Sequence, residues 1–149
     1  MLLDAALSVA HFLALLVMAG ALSAEAFVLR LPVKGPVIPL LARTDALYGL
    51  SAGLLIAAGL SRVFFGLKDE SYYGDSHAFW GKIAVFVIIG LLSILPTMQF
   101  IRWRRAYNTD AAFEPSETEV KRARLIVMIE AHLLIVVVIF AALMARGIG

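Results

Sequence analysis

The sequence has no cysteine among its 149 residues and little charge. The lack of cysteine excludes disulfides, a redox dithiol and any thiolate-ligated metal, so a bound metal would need imidazole, thioether, carboxylate or amine ligands. Charged residues make up 16% of the chain, below the quarter that is typical of soluble domains. The sequence also lacks a glycine-rich phosphate loop, a Gly-x-Ser-x-Gly elbow and a His-Glu-x-x-His pair, so no motif points to a particular enzyme class.

What the chain has instead is hydrophobic length, with 62% hydrophobic residues and a mean hydropathy of +0.91. Four apolar stretches, about 3–29, 46–67, 79–101 and 125–145, are each long enough to cross a bilayer, for which an α-helix needs about 20 residues. Lipid offers no hydrogen-bond partners to the backbone, so such stretches must be helical. We predict an all-α integral membrane four-helix bundle, up-down-up-down, in a single domain over 1–149.

The distribution of Lys and Arg predicts the orientation of this bundle in the membrane. The first and third connections and the adjoining span ends carry nine basic residues, against four on the opposite side. The positive-inside rule then puts both termini outside the cytoplasm, and the bacterial inner membrane is the expected location. The first stretch lacks a basic start and exceeds the length of a signal-peptide core, so we expect it to stay as a helix. No basic stripe with interleaved aromatics lies outside the spans, so no nucleic-acid partner is expected.

The connections carry local signals of their own. Three prolines predict an extended, non-helical first connection: Pro32, Pro36 and Pro39. The polar residues of Arg102–Arg124 predict a long connector or docking surface, within which Ser116 and Glu119 have the spacing of a capping box.

A row of small residues runs along the second span at Gly49, Gly53 and Ala57. Such a row lets a neighbouring helix approach closely. We favour packing inside the bundle as its role, with a homodimer interface as the alternative.

Ionisable residues within the spans are the strongest functional signal, because a charge near the bilayer centre costs at least about 2.5 kcal/mol. His11 and His132 lie in helices that enter from opposite faces, each about 10 to 12 Å in at 1.5 Å per residue, so both approach the midplane. Neutral imidazole is a good ligand for iron or copper. The alternative is a pair of hydrogen-bonded or lone structural histidines. His77, in a polar loop, is expected to be solvated.

Further polar residues lie closer to the span ends. His11, Met18 and Glu25 recur every seven residues and share one stripe of the first helix. Near Glu25 in depth we expect Asp45, Glu130, Arg43 and Arg30, and the favoured interpretation of these charges is ion pairing at the membrane interface. On the opposite side the long side chains of Arg62 and Lys82 flank the acidic second connection and can reach the interface.

Short motifs along the chain carry a resemblance: Arg43-Thr-Asp45, Tyr48-Gly49, Ala57-Ala-Gly59 with Arg62, Phe64-Phe-Gly66-Leu-Lys68, Tyr72-Tyr73 and Phe79-Trp-Gly-Lys82. Through them the whole chain resembles a bacterial family of small predicted membrane proteins known only as a domain of unknown function. That resemblance implies a membrane fold and no activity.

A more distant resemblance rests on His11 with Gly20 nine residues later, Lys82 at the start of the third span and Glu130 early in the last. There the chain is similar to the four-helix membrane protoporphyrinogen oxidase of bacterial haem synthesis and to CopD-like copper-resistance proteins. The resemblance implies that His11 is an axial ligand of haem b and that Lys82 is a polar partner on the outer side. The chain lacks a further third-span histidine of that oxidase, so the resemblance carries haem binding rather than the oxidation of protoporphyrinogen.

We therefore predict a protein that binds haem b between its first and last spans, with His11 and His132 as metal ligands and Lys82 and Arg62 as further cofactor-binding residues. Electron transfer to a redox partner would follow, and any enzymatic activity would be that of a membrane oxidoreductase. One alternative is a haem-free structural or assembly protein. Another is copper handling through Met18 and the two histidines.

Overall fold

The computed structural model of the chain describes residues 2–65 and 77–147, apart from the side chains of Arg62, Val63 and Phe65. These residues form four α-helices and no strand: α1 (Leu2–Val28), α2 (Val37–Phe65), α3 (His77–Thr109) and α4 (Glu117–Ala145). Within the described ranges, all four are long and apolar enough to cross a membrane. The predicted all-α four-helix membrane fold is confirmed.

The helices form a ring in which each packs against its neighbours in the chain. The α1–α2 and α3–α4 interfaces are the most extensive, and α2–α3 and α1–α4 complete the ring. Neighbouring helices run antiparallel: Gly59 of α2 faces the His11 ring, while Thr97 of α3 contacts Asp45 of α2. Both termini therefore lie at one end, here called the terminal end. The connections 29–36 and 110–116 lie at the opposite, connector end.

The helices extend beyond the predicted spans at the connector end. α2 begins at Val37 rather than at residue 46, and α3 continues to Thr109, so most of the expected long connector Arg102–Arg124 is helical. Hydropathy detects the stretch in contact with lipid, whereas a helix continues into the polar interface as long as its backbone bonds are made. Pro39 was wrongly assigned to the extended connection. It lies in the first turn of α2, where a missing N–H breaks no helical bond.

The start of α4 follows the prediction. The Glu119 N–H donates to Ser116 Oγ at 3.3 Å, and the Ser116 N–H donates to Glu119 Oε2 at 3.1 Å, which completes the capping box. This motif satisfies two backbone donors that the first turn of a helix otherwise leaves unpaired.

The row of small residues on α2 does not pack inside the bundle. Gly49, Gly53 and Ala57 are exposed, and a Cβ added at either glycine would meet nothing within 4 Å. The expected role in internal packing was therefore wrong. The buried face of α2 instead carries larger side chains, two of them polar: Leu41, Asp45, Tyr48 and Leu55. These side chains set the rotation of the helix about its axis and turn the small residues outward.

Candidate functional site

Three carboxyl side chains are buried near the axis of the bundle. Glu25 of α1, Asp45 of α2 and Glu130 of α4 are 1%, 5% and 1% exposed. The predicted stripe on α1 is confirmed for Met18 and Glu25, which are both buried on its inner face. Three helices thus each contribute one acidic group to the interior.

Two hydroxyl donors connect these carboxyls to other helices. The Tyr48 hydroxyl of α2 donates to Glu130 Oε2 at 3.0 Å, across the diagonal of the bundle. The Thr97 hydroxyl of α3 donates to Asp45 Oδ1 at 2.8 Å. Glu25 is near enough to interact electrostatically with both Asp45 and Glu130. We call Glu25, Asp45 and Glu130, with Tyr48 and Thr97, the carboxyl cluster.

The expected ion pairs with arginine are not formed within the described residues. Arg43 is exposed, and Arg30 is exposed with its guanidinium 5.7 Å from the centre of the Phe27 ring. Two ion pairs between described residues lie near the connector end, one between Arg102 and Glu119 and one between Lys121 and Glu117. The prediction of an interfacial cluster of paired charges was wrong, because the carboxyls turn inward whereas the arginine side chains reach outward to the interface.

The cluster also contains unsatisfied acceptors. Glu25 Oε1 and Glu130 Oε1 are buried and have no hydrogen-bond partner within the described residues. In a low-dielectric interior, neighbouring negative charges repel strongly and each loses its hydration. Such a group of carboxyls needs bound protons or a cation. In the described part of the chain no three His, Asp or Glu side chains are arranged to hold a metal ion. Carboxyls in contact with hydroxyls can hold and exchange protons.

A second feature lies at the terminal end, where all four helices line a cavity of about 160 Å³. Its two polar residues are His11 and Lys82, so the structure brings these two predicted site residues together. We call it the terminal cavity. A layer of buried apolar side chains separates it from the carboxyl cluster, with one member from each helix: Met18, Leu55, Ile89 and Leu134.

His132 does not reach this cavity. Its side chain is exposed on the outside of α4, with Nδ1 2.6 Å from the carbonyl oxygen of Met128. The buried residues Glu130 and Leu134 define the inner face of α4, and a residue two positions from either lies about 200° around the helix. The depth argument for His132 took no account of this rotation. A haem held between His11 and His132 of one chain does not fit this arrangement, and neither does a copper site built from both histidines and Met18.

The size of the terminal cavity supports the same conclusion. Pockets for drug-sized ligands and cofactors measure about 300 to 1,000 Å³, well above its 160 Å³. The side chain of Arg62, the remaining predicted cofactor-binding residue, lies outside the described residues.

Sequence reasoning did not assign Tyr48 and Thr97 to the site, although signals for both exist. Tyr48 follows Asp45 by three residues, which places the two on one face of α2. Thr97 follows Pro96, where the helix has lost a backbone donor. Neither signal identifies the carboxyl that each hydroxyl contacts, because that depends on how the helices pack.

Comparison with known proteins gives a family and no activity. No curated protein and no solved structure matches the chain, so the resemblance to the oxidase and to CopD-like proteins stays a prediction. A model of a family of predicted membrane proteins matches residues 3–149, which is nearly the whole chain. The chain therefore belongs to the predicted membrane protein family DUF2214.

Proposed function

We propose that this protein is a proton-handling membrane protein, and that its carboxyl cluster takes up and releases protons inside the bundle. The observation that carries the proposal is the burial of Glu25, Asp45 and Glu130 together, with no Lys, Arg or His paired to them in the described residues. Buried ionisable groups in membrane spans are rare and commonly form proton relays.

The distribution of the cluster along the helices supports proton exchange with the connector end. Glu25 lies within one turn of the end of α1, whereas Glu130 lies about 20 Å along α4 from Glu117. Tyr48 and Thr97 carry hydroxyls that both donate and accept, so they can connect carboxyls at different depths. The apolar layer around Met18 separates the cluster from the terminal end.

The bias of Lys and Arg assigns a membrane side to this exchange. The connector end carries the larger number of basic residues, so the positive-inside rule turns it toward the cytoplasm. With the bacterial inner membrane as the proposed location, protons would enter and leave the carboxyl cluster from the cytoplasmic side.

Infrared difference spectroscopy of the protein in lipid nanodiscs tests the proposal. Between about pH 6 and about pH 10, a range in which the exposed carboxyls of the chain stay ionised, we expect C=O bands of protonated carboxyls that shift in D₂O. Glu25→Gln, Asp45→Asn and Glu130→Gln should each change these bands. The exposed Glu114 on the connection gives the matched control Glu114→Gln, which should leave them unchanged.

Two further variants test the hydroxyl connections. Tyr48→Phe should shift the band of Glu130 by removing its donor, while Tyr107→Phe, at a half-buried tyrosine, should not. Spectra that lack protonated-carboxyl bands over the whole pH range would contradict the proposal. So would bands that persist when Glu25, Asp45 and Glu130 are replaced together.

Haem b binding with electron transfer, copper handling and a haem-free structural or assembly role stay predictions from the sequence. His11 is the one of the two predicted histidine ligands that lies at the terminal cavity. Absorption spectra of the purified protein, oxidised and reduced, test haem directly, and copper retained after detergent exchange tests the metal. A colourless, metal-free bundle would favour the structural role over both.

A homodimer also stays a prediction. The exposed row of Gly49, Gly53 and Ala57 is the surface on which to test it, because small residues let helices approach closely. Sedimentation of a Gly53→Leu variant in detergent, beside the parent protein, measures whether this row holds two copies together.

A further inference from the structure

The terminal cavity has the chemistry of a binding site that the proposed proton-handling role does not use. Twelve of its fourteen lining residues are apolar or glycine, and the two polar ones are His11 and Lys82. Few, well-placed polar groups in an apolar pocket are typical of small-molecule sites. The cavity is also distinct from the carboxyl cluster, so the two can be tested independently.

The cavity-lining residues that are exposed on the outside of the bundle are apolar. Ile56 and Leu60 of α2 and Ile83 of α3 line the cavity and are also exposed on the outside of the bundle. Val138 of α4 also lines the cavity and is exposed. Two interfaces around the cavity, α2–α3 and α1–α4, are much less extensive than the α1–α2 interface. In a membrane this side of the bundle faces lipid. A ligand dissolved in the bilayer could therefore enter past these exposed apolar residues without passing through water.

The polar part of the cavity indicates the chemistry of the polar head that a ligand would have. Lys82 lies about 8 Å along α3 from His77, close to the polar interface, and its ammonium is 5.0 Å from the centre of the Phe79 ring. The apolar walls formed by Leu55 and Val137 lie deeper in the bundle. A positive charge beside an apolar space is complementary to an anionic head that carries an apolar tail.

The volume of the terminal cavity limits the size of the ligand's apolar tail. At about 160 Å³ the cavity is close to the engineered cavity of about 150 Å³ that holds one benzene molecule. It has room for part of one hydrocarbon chain and not for a lipid with two chains. A carboxylate is a compact anion that matches the single ammonium of Lys82.

We propose that the terminal cavity binds a single-chain amphiphile with a carboxylate head, taken from the membrane past the exposed apolar residues of the cavity lining. The carboxylate lies against Lys82 near the terminal end. The chain extends past Gly59 toward Leu55 and Val137.

Photolabelling in nanodiscs tests this inference with a fatty acid that carries a diazirine in its chain. Labelling should be saturable and should map to residues around Leu60 and Ile83. Unlabelled fatty acid should compete, whereas its methyl ester, which has the same chain and no charge, should compete at least about tenfold more weakly, as expected for loss of a hydrogen bond to a charged group.

Two kinds of variant locate the binding. Lys82→Gln should weaken labelling about tenfold and Lys82→Arg should restore most of it. Lys34→Gln, at an exposed lysine of the connector end, is the matched control. Ala141→Leu places bulk in the cavity and should reduce labelling while the melting temperature reports its folding.

Two outcomes would overturn the inference. Equal competition by the methyl ester would show that the carboxylate is not recognised. Label that is spread over all lipid-facing helices and is insensitive to Ala141→Leu would show that the ligand does not bind in the cavity. Either result leaves the infrared bands of the carboxyl cluster untouched, so this failure is distinguishable from failure of the proposed function.

Discussion

The two ends of the bundle differ in how they use their interior. Toward the connector end, in the half that contains the carboxyl cluster, large side chains such as Trp103, Phe100 and Leu41 are almost completely buried. Toward the terminal end, Ala78 is the one buried residue in the described stretches 2–13, 56–61, 77–88 and 138–147. The helices there surround a cavity instead.

This difference follows from what each half contains. Carboxyls at membrane depth must be shielded from lipid on every side, since each uncompensated polar group in hydrocarbon costs several kcal/mol. A half that holds three of them needs close packing around them. The apolar terminal half has no such requirement, because its side chains meet lipid at little cost. Tight packing therefore accompanies the buried polar groups here, and the more loosely packed half contains a cavity.

The largest effect is expected in a labelling experiment that tells which side of the membrane each half of the bundle faces. Because the chain has no cysteine, single cysteines can be labelled without background. Arg146→Cys at the terminal end should react with a membrane-impermeant maleimide in intact cells, and Glu114→Cys on the connection only after lysis. The reverse pattern would turn the carboxyl cluster toward the outside and would leave the four-helix fold unaffected.

The difference in packing predicts unequal effects for the two tryptophans of the chain. Trp103 in the connector half is 1% exposed and packs against Phe100, with ring centroids 5.6 Å apart, whereas Trp80 in the terminal half is 57% exposed. Trp103→Ala should lower the free energy of unfolding by about 3 to 5 kcal/mol. Trp80→Ala should change it little. Denaturant titration in mixed micelles measures both, and equal losses would show that the halves are packed alike.

A smaller effect is expected at glycines. A Cβ at Gly81 would lie 2.9 Å from Cε1 of Phe140, whereas one at Gly49 meets nothing within 4 Å. Gly81→Ala forces the Phe140 ring to move, at about 1 to 3 kcal/mol, against about 1 kcal/mol gained in helix propensity. We expect a net loss of about 1 kcal/mol. Gly49→Ala should be neutral or stabilising, and thermal melts that rank the two variants the other way would contradict the observed helix faces.

Much of the fold follows from the sequence, because the signals are local. Four apolar stretches, each forced to be helical by lipid, determine the number and type of elements. The Ser116 and Glu119 capping box and the buried stripe of Met18 and Glu25 follow from spacing along a single helix. The extra length of α2 and α3 at the connector end was missed, since hydropathy carries no signal where a helix leaves the lipid.

Only the tertiary structure decided which faces meet. The exposure of His132, the outward row at Gly49 and the burial of Asp45 all depend on the rotation of a helix about its own axis. The contacts of Tyr48 with Glu130 and of Thr97 with Asp45 join residues on different helices. Periodicity places residues on a common face of one helix, but the large side chains of all four helices together choose which face turns inward, and no single segment contains that information.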